Sequence, residues 1–502
     1  MKRKLIVFFL LLALALSACS QPNPATCAHA DTDDNGICDR CSVSVIVTVD
    51  FYAINDLHGK IVDGDNHPGV DELTTYLKAA HIADEHVVLL SAGDMWQGSS
   101  ESNLTSGFLT TEWMNDLDFA AMALGNHEFD WGENPIEANH AIAEFPFLAI
   151  NIYETSTHQP VPYCQGSVMV ETGNVQIGII GAIGDCYSSI SSDKTQDVYF
   201  LVGDQLTELV KAESQSLREQ GADFIVYLLH DGLGKSYSTH SKVQSNQLAS
   251  YYDTELSDGY VDLVFEGHTH QSYLISDVYG VYHLQNKGEN RGGISHAQVK
   301  INSVTGTTDV STAGLIGTDV YDDFADDPII EDLLDKYNEQ IAPSREVLGN
   351  NSYKRSSNHL KQLVADLYYQ AGIAQWGDAY DIALGGGYMS VRSPYDLNAG
   401  QVTYGQLQML LPFDNSIVLC SIKGSDLKNK FFESNNSNYF ICYGQYGAEL
   451  KNNIDPNATY YIVTDTYTSQ YAPNRLTEVA RLDDTTFARD LVAQYVRSGG
   501  LQ

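Results

Sequence analysis

Five times between residues 45 and 270 the chain runs through a short apolar stretch and breaks off into a polar cluster. VIVTVDFYAI (45–54) precedes Asn55-Asp56-Leu57-His58-Gly59, and VVLL (87–90) precedes Ser91-Ala92-Gly93-Asp94. FAAMAL (119–124) precedes Gly125-Asn126-His127-Glu128-Phe129-Asp130. FIVYLL (224–229) precedes His230-Asp231-Gly232, and VDLVF (261–265) precedes Glu266-Gly267-His268-Thr269-His270. Runs of this length, rich in Val, Ile, Phe and Leu, read as buried strands. Between them lie stretches of helical character, such as DELTTYLKAAHIAD (71–84) and VGDQLTELVKAESQSLREQG (202–221). Strands interleaved with helices predict an α/β domain, and such folds bind ligands just past strand ends. Five polar clusters at five strand ends predict a site.

The residue types narrow the chemistry. Asp56 and His58 are two apart, so if the strand persists they project from one face. Asp94 offers a carboxylate able to bridge, Asn126 a neutral amide oxygen, and His230, His268 and His270 three imidazoles. Two carboxylates, an amide and four imidazoles suit borderline metals (Zn²⁺, Mn²⁺ or Fe²⁺) better than Mg²⁺ or Ca²⁺, which favour all-oxygen shells. Taken singly, each histidine reads as an ordinary surface or core residue. The ordered set DxH, GD, GNHE, H, GHTH is specific.

At 502 residues the chain exceeds one core, so two domains are expected. Its formal net charge of −37 argues against nucleic-acid polymers as partners, which need a basic face. Small anionic substrates remain open if bound metal supplies positive charge. After Asn302 the strand-then-cluster pattern stops. DDFADDPIIEDLLDKYNEQIAP (322–343) reads as a connecting helix, acidic and with Pro328 at its start and Pro343 past its end. From about Val347 a second domain begins, with helix-like HLKQLVADLYYQAG (359–372), glycine-rich LGGG (384–387), the loop LLPFDN (410–415) and strand-like TYYIVTDTYTSQY (459–471).

The order and spelling of these motifs resemble the calcineurin-like metallophosphoesterases, and within them the 5′-nucleotidase family, which includes UDP-sugar hydrolases and 2′,3′-cyclic-nucleotide phosphodiesterases. The resemblance runs from about residue 45 to the C-terminus. It implies a four-layer α/β sandwich over 43–321, helices flanking two packed sheets. A helical linker over 322–345 then leads to a second α/β domain over 346–502. It also implies two divalent ions, one held by Asp56, His58 and His270, the other by Asn126, His230 and His268, with Asp94 bridging. His127 is left off the metals to stabilise phosphate and the departing oxygen, and Asp130 orients and charges that imidazole. Glu128 has no such role and reads as a local structural carboxylate. Two such ions lower the pKa of a shared water toward roughly 7, so hydroxide attacks phosphorus in line without a phosphoenzyme.

In this family the second domain holds the nucleoside. Phe413 matches the first base-stacking aromatic, Asn415 its polar neighbour, and Tyr467 falls where the second aromatic is expected; stacking tolerates any base. Three departures touch specificity. The usual Asn-Gly-Gly-Gly-Ile-Arg appears as Leu384 to Arg392, with Leu for Asn and the Arg displaced by three residues. The arginines expected near the domain start have only Lys354 and Arg355 as candidates. Ala472-Pro473-Asn474-Arg475 replaces the Gly-Gly-Asp-Gly whose Asp holds a ribose hydroxyl. The implied activity is hydrolysis of nucleoside 5′-monophosphates or related nucleotides. The rivals are UDP-sugar hydrolysis, cyclic-nucleotide cleavage, action on a sulfur or non-nucleotide ester, and a surface binding protein without turnover.

Residues 1–18 read as an export signal: Lys2, Arg3 and Lys4, then the apolar stretch Leu5 to Leu16. Leu16-Ser17-Ala18-Cys19 looks like a bacterial lipobox, which implies a lipid on Cys19 and anchoring to the membrane at the extracytoplasmic face; the alternative is an ordinary signal peptide with a chance Cys. In an oxidising compartment Cys164 with Cys186, and Cys420 with Cys442, are candidate disulfides; the alternative is four buried free thiols. The spacer 19–42 holds Cys27, His29, Cys38 and Cys41, a C-x-H-x8-C-x2-C array suited to zinc. Its interior DTDDNG resembles half a calcium loop, but Ser42 stands where a bidentate Glu is wanted. The alternative is a polar spacer with one disulfide and one spare thiol. Oligomeric state is not legible.

Overall fold

The structure, a computed structural model, describes residues 27–64, 67–232, 260–277, 279–388, 391–392, 395–432, 439–442, 450–471 and 476–502. The leader, Cys19, Met389, Ser390 and Ala472 to Arg475 lie outside the described residues.

The apolar runs form strands as their composition demands. The first sheet runs edge to edge as Thr308–Ile316, Ile294–Asn302, Ile46–Ile54, Val87–Ser91, Ala121–Ala123 and Phe147–Leu148. From Ile46–Ile54 onward its neighbours are parallel, as alternating helices require. The second sheet runs Tyr273–Ser276, Tyr282–Gln285, Leu263–Glu266, Phe224–His230, Val175–Ile183 and Ser167–Thr172. The two sheets pack face to face through Val49, Phe51, Leu90, Val226, Leu228 and Phe265, with the Phe51 and Phe224 rings stacked 5.9 Å apart. Helices Asp71–Ala83 and Phe108–Asp116 cover the outer face of the first sheet through Leu73, Leu77, Leu109 and Trp113. Helix Asp204–Glu219 covers the second through Leu206, Val210 and Leu217. The four-layer expectation holds.

The connector differs from the single helix predicted over 322–343. It starts at Pro328, where Asp327 caps the helix by accepting the Ile329 N–H at 3.0 Å. It breaks at Tyr337 into Pro328–Lys336 and Asn338–Ile341. Its apolar face is buried with the first domain through Ile330, Leu333, Tyr337 and Ile341, and Tyr337 donates to Glu112 at 2.8 Å. The connector belongs to the first domain's surface rather than standing free between the two.

The second domain is a five-stranded sheet in the order Tyr439–Cys442, Ile382–Tyr388, Thr459–Asp465, Ile417–Lys423 and Thr477–Arg481, packed against the helix Ser357–Trp376. LGGG lies inside the strand Ile382–Tyr388, and a Cβ on Gly385 would stand 2.3 Å from the Ala365 carbonyl of that helix. Glycine there lets helix and strand backbones close. The stretch 459–471 is half strand: it turns at Asp465 into the helix Thr466–Tyr471, because the Asp465 carboxylate accepts the Thr468 N–H at 2.7 Å. Cys164, Cys186 and Cys420 are free thiols; Cys164 donates to the Ala149 carbonyl at 3.6 Å and Cys186 to the His230 carbonyl at 2.8 Å.

Candidate active site

Six of the seven candidate ligands stand beyond the C-terminal ends of parallel strands and His230 is the last residue of its strand, where a doubly covered sheet is open to ligand. They do not hang there as a continuing strand would place them. Asp56, His58, Asp94, His268 and His270 adopt left-handed backbone, with φ between 51° and 74°. The shared strand face expected for Asp56 and His58 is therefore absent: the strand ends at Ile54 and the loop coils back on itself. The conformation is held by backbone bonds between the first two loops, Asp56 N–H to Gly93 O at 2.9 Å and His58 N–H to Asp94 O at 3.0 Å. Non-glycine residues in this region cost energy and persist where surroundings over-determine them, commonly at functional sites. Gly93 and Gly125 make the crowding possible; a Cβ on Gly125 would sit 2.3 Å from Asp94 Oδ1, and one on Gly93 2.7 Å from His230 Nδ1.

Side chains then converge. The ligand atoms of Asp56, His58 and His270 lie within 4.8 Å of one another, as do those of Asp56, Asp94 and His230. His58 Nε2 is 3.0 Å from His270 Nε2, and His270 Nε2 is 3.3 Å from Asp56 Oδ1. Asn126 Oδ1 is 3.2 Å from His230 Nε2 and 2.9 Å from His268 Nδ1, and Asp94 Oδ2 is 3.1 Å from His230 Nε2. Two rings are anchored from behind: His58 Nδ1 donates to the Gln97 carbonyl and His230 Nδ1 to the Ala92 carbonyl, each at 2.7 Å. A ring so anchored directs its Nε2 inward, as metal-ligating histidines do.

The electrostatics agree. Burial and the neighbouring Arg392 guanidinium hold His58 well below its usual pKa, and burial beside His230 pushes His268 down to about 4. Burial also opposes charge on His230, yet the Asp94 and Asp56 carboxylates push it up to about 10. This buried space attracts positive charge, and its donor set of carboxylate, amide oxygen and imidazole fits two borderline divalent ions.

His127 stands beside the cluster. Its Nδ1 meets Asp130 Oδ2 at 2.7 Å and its N–H donates to Asp94 Oδ1 at 2.8 Å. Burial opposes a charge on the ring, but Asp130 and Asp94 push its pKa up to about 9, which favours the imidazolium. Glu128 is buried and accepts the N–H groups of Asp94, Met95, Trp96 and Gly125 at 2.7–3.3 Å. It is structural, and it fixes the loops that carry Asp94 and Asn126.

A cavity with about 690 Å³ of empty space opens between the domains over this cluster. Asn126, His127, Asp130 and His268 form its floor; Phe413, Asn415 and Tyr467 line it from the second domain. Phe413 stacks on His127 with centroids 5.9 Å apart, and Tyr467 lies parallel to Tyr388 at 6.4 Å. Arg392 also reaches the first domain. It pairs with Glu289 Oε1 at 3.3 Å, and its other terminal nitrogen is buried with no hydrogen-bond partner, near Gly98 and His58. Glu289 in turn donates its N–H to the Asp56 carbonyl at 2.7 Å, linking Arg392 to the ligand loop.

Arg355 is elsewhere. Its guanidinium bonds Asn351, Tyr353, His359 and the Leu501 carbonyl, fixing the end of the chain, and it does not line the cavity. Lys194, Ser189 and Ser191 do line it, though no motif in the sequence marks them. Ser191 and Ser192 donate to Gln470 Oε1 at 2.8–3.1 Å, a contact across the domains. Far from the cavity, Cys27, His29, Cys38 and Cys41 bring their ligand atoms within 4.8 Å of one another.

Residues 49–272 match the calcineurin-like phosphoesterase family and residues 340–459 the 5′-nucleotidase C-terminal domain, together more than half of the chain. The chain is similar to an apyrase of Tabanus yao, 27% identical over 85% of this chain and 78% of that protein. It is similar to a 2′,3′-cyclic-nucleotide 2′-phosphodiesterase/3′-nucleotidase of Salmonella typhimurium, 30% identical over 44% of this chain and 37% of that protein's length. Its fold is similar to that of a solved 5′-nucleotidase precursor from Thermus thermophilus, with a TM-score of 0.68 over 90% of this chain and 96% of that one at 18% identity.

Proposed function

The chain belongs to the calcineurin-like phosphoesterases that carry a 5′-nucleotidase C-terminal domain, a family of metal-dependent phosphoester hydrolases, and on that premise we propose that it hydrolyses nucleoside 5′-monophosphates or closely related nucleotides outside the cytoplasm. One observation carries the reading: a single cavity has Asn126 and His268 of the ligand cluster, together with the His127–Asp130 pair, as its floor and two aromatic rings from the other domain on its wall.

Asp56, His58 and His270 would hold one divalent ion and Asn126, His230 and His268 the other, with Asp94 between them. Zinc, manganese or iron bound there supplies Lewis acidity, charge for a phosphate and an acidified water. The chain's own groups do the rest. His127, kept protonated by Asp130, donates a hydrogen bond to the phosphate and to the oxygen that leaves. Arg392, whose unpartnered terminal nitrogen lies near Gly98 and His58, would hydrogen-bond the same phosphate. Phe413 and Tyr467 take the base between them, Asn415 fixes its edge, and Lys194 neutralises charge at the mouth. Arg355 supports the domain rather than the substrate. A lipid on Cys19 would tether the enzyme to the membrane; among the described residues no helix is long and apolar enough to cross one.

The test strips the protein of metal, reloads it with Mn²⁺ or Zn²⁺, and follows products from AMP, UDP-glucose and 2′,3′-cyclic AMP beside a His127→Ala control. Metal-dependent turnover of AMP, lost in the control, is expected. Preference for UDP-glucose or the cyclic nucleotide moves the assignment within the family. No turnover of any of them, with two metals bound at the cluster, sinks the nucleotidase reading in favour of a binding protein or a different ester.

A further inference from the structure

The segment before the first strand is too small to fold alone. Residues 27–45 contain no helix and no strand beyond the isolated bridge Ile37–Ser44. Their interior is Cys38, Cys41 and Val45, with Cys27 packed on them. So few apolar groups do not offset the entropy of ordering such a segment, and small modules of this kind need a staple.

Its geometry suits one kind of staple. Cys27 Sγ and Cys38 Sγ are 3.9 Å apart, and Cys41 Sγ is 3.4 Å from His29 Nδ1. A disulfide needs about 2.05 Å between sulfurs. Tetrahedral zinc, with Zn–S near 2.3 Å and Zn–N near 2.0 Å, places two sulfurs about 3.8 Å apart and a sulfur and nitrogen about 3.5 Å apart. All four ligand atoms fall within 4.8 Å of one another, with Cys38 and Cys41 buried beneath the chain. Three thiols and one imidazole make a closed set with no place for a substrate, and thiolate ligands select zinc over the oxygen-loving ions. We propose that Cys27, His29, Cys38 and Cys41 bind a structural zinc ion that clips the start of the chain to the catalytic domain.

The loop between the ligands is the other half of the clip. Asp31 accepts N–H groups from Asn35 at 3.0 Å, Gly36 at 2.8 Å and the Asn302 amide at 2.6 Å. Asp34 accepts from Asn302, Thr305 and Thr307 at 2.7–2.8 Å. These carboxylates grip the turn after the strand Ile294–Asn302 and leave little for calcium, so the half calcium loop is a docking surface. Ser303 adds two bonds to the Val45 carbonyl, at 2.9 and 3.0 Å. Residues 27–45 are therefore not the polar spacer of the alternative reading: they seat the chain rigidly where it enters the strand Ile46–Ile54, whose end carries Asp56 and His58.

This inference is independent of the substrate assigned above. Full-length protein, purified without reductant, is assayed for metal by mass spectrometry beside a Cys38→Ser/Cys41→Ser variant. The expected result is one zinc equivalent fewer in the variant, unchanged hydrolytic turnover and a new protease-sensitive site near residues 27–45. Because the variant could also lose metal by misfolding, the wild-type protein is loaded with Co²⁺ as well. A thiolate-to-cobalt charge-transfer band, absent from the variant, supports the site. Equal zinc content in both proteins, absence of that band, or a Cys27–Cys38 disulfide with Cys41 as a free thiol overturns it.

Discussion

Two buried clusters in the first domain are built from the same residue types, and only one has the geometry of a candidate metal site. In the first, Asp56, His58, Asp94, His230, His268 and His270 converge past strand ends. In the second, His283 lies between two carboxylates: Nδ1 meets Glu266 Oε1 at 2.9 Å and Nε2 meets Asp277 Oδ2 at 3.5 Å, while Tyr273 donates its hydroxyl to Glu266. Burial opposes charge on His283, but its hydrogen bonds to Asp277 and Glu266 push its pKa up to about 9. Every polar hydrogen there meets an acceptor, and the ring sits in the regular strand Tyr282–Gln285. At the first cluster the His58 and His230 rings are pinned from behind by carbonyls, their inner nitrogens face other acceptors, and five residues hold left-handed backbone. Unmatched acceptors and strained backbone, rather than residue identity, separate a ligand site from a structural ion network.

The sharpest way to break that comparison is Asp94→Asn. It removes a carboxylate that touches both His230 and the His127 N–H, so loss of bound metal and of detectable turnover is expected, read by metal analysis and phosphate release. Retention of both would place the site elsewhere. Next is His127→Ala, which leaves the ligand cluster intact. Metal content should hold while kcat falls about 10²–10³-fold, the usual loss for one pre-organised donor. Asp130→Asn should fall less, because the ring remains but loses the partner that charges it. At the second cluster His283→Gln should reverse the pattern. It leaves two buried carboxylates uncompensated, a cost of about 3 kcal/mol seen as a lower urea midpoint, with kcat unchanged.

Although the sharing of its ligands between two ions came from the family resemblance, much of the first cluster was legible because five apolar runs each end in a polar cluster, where one alone would read as a loop. The second was not: His283 and Glu266 are 17 residues apart with no periodicity that joins them, and only the parallel pairing of their strands does so. Backbone conformation was also beyond reach; two residues of spacing suggested a strand face for Asp56 and His58, whereas bonds to the Gly93 and Asp94 carbonyls, from a loop 35 or more residues away, set left-handed geometry. The α/β class followed from apolar runs alternating with helical stretches and the four layers from the family resemblance, but the break at Tyr337 and the turn into helix after Asp465 depend on tertiary contacts and a local cap. In the second domain, Phe413 and Tyr467 do reach the cavity, while Arg355 is drawn away by the Leu501 carbonyl, a partner at the far end of the chain.

The smallest effect sharpens the comparison most, because it separates charge held by protein from charge left for metal. His283 has its pKa raised from 6.5 to about 9, so the native state binds a proton that the unfolded chain releases. Its contribution to stability is therefore complete below pH 6.5 and is lost as pH climbs through 9. Lys60 acts in the opposite sense: burial and Arg392 push its pKa from 10.5 down to about 7, so over that range stability rises with pH. The measurement is thus a difference. Urea midpoints of metal-loaded wild type and His283→Gln are compared at pH 6.5 and pH 9; Lys60 and the loaded ligands are common to both and cancel. The gap between the two proteins should narrow toward pH 9. A gap independent of pH would mean that His283 is neutral in the fold, and that the second cluster, like the first, leaves its carboxylates short of a proton.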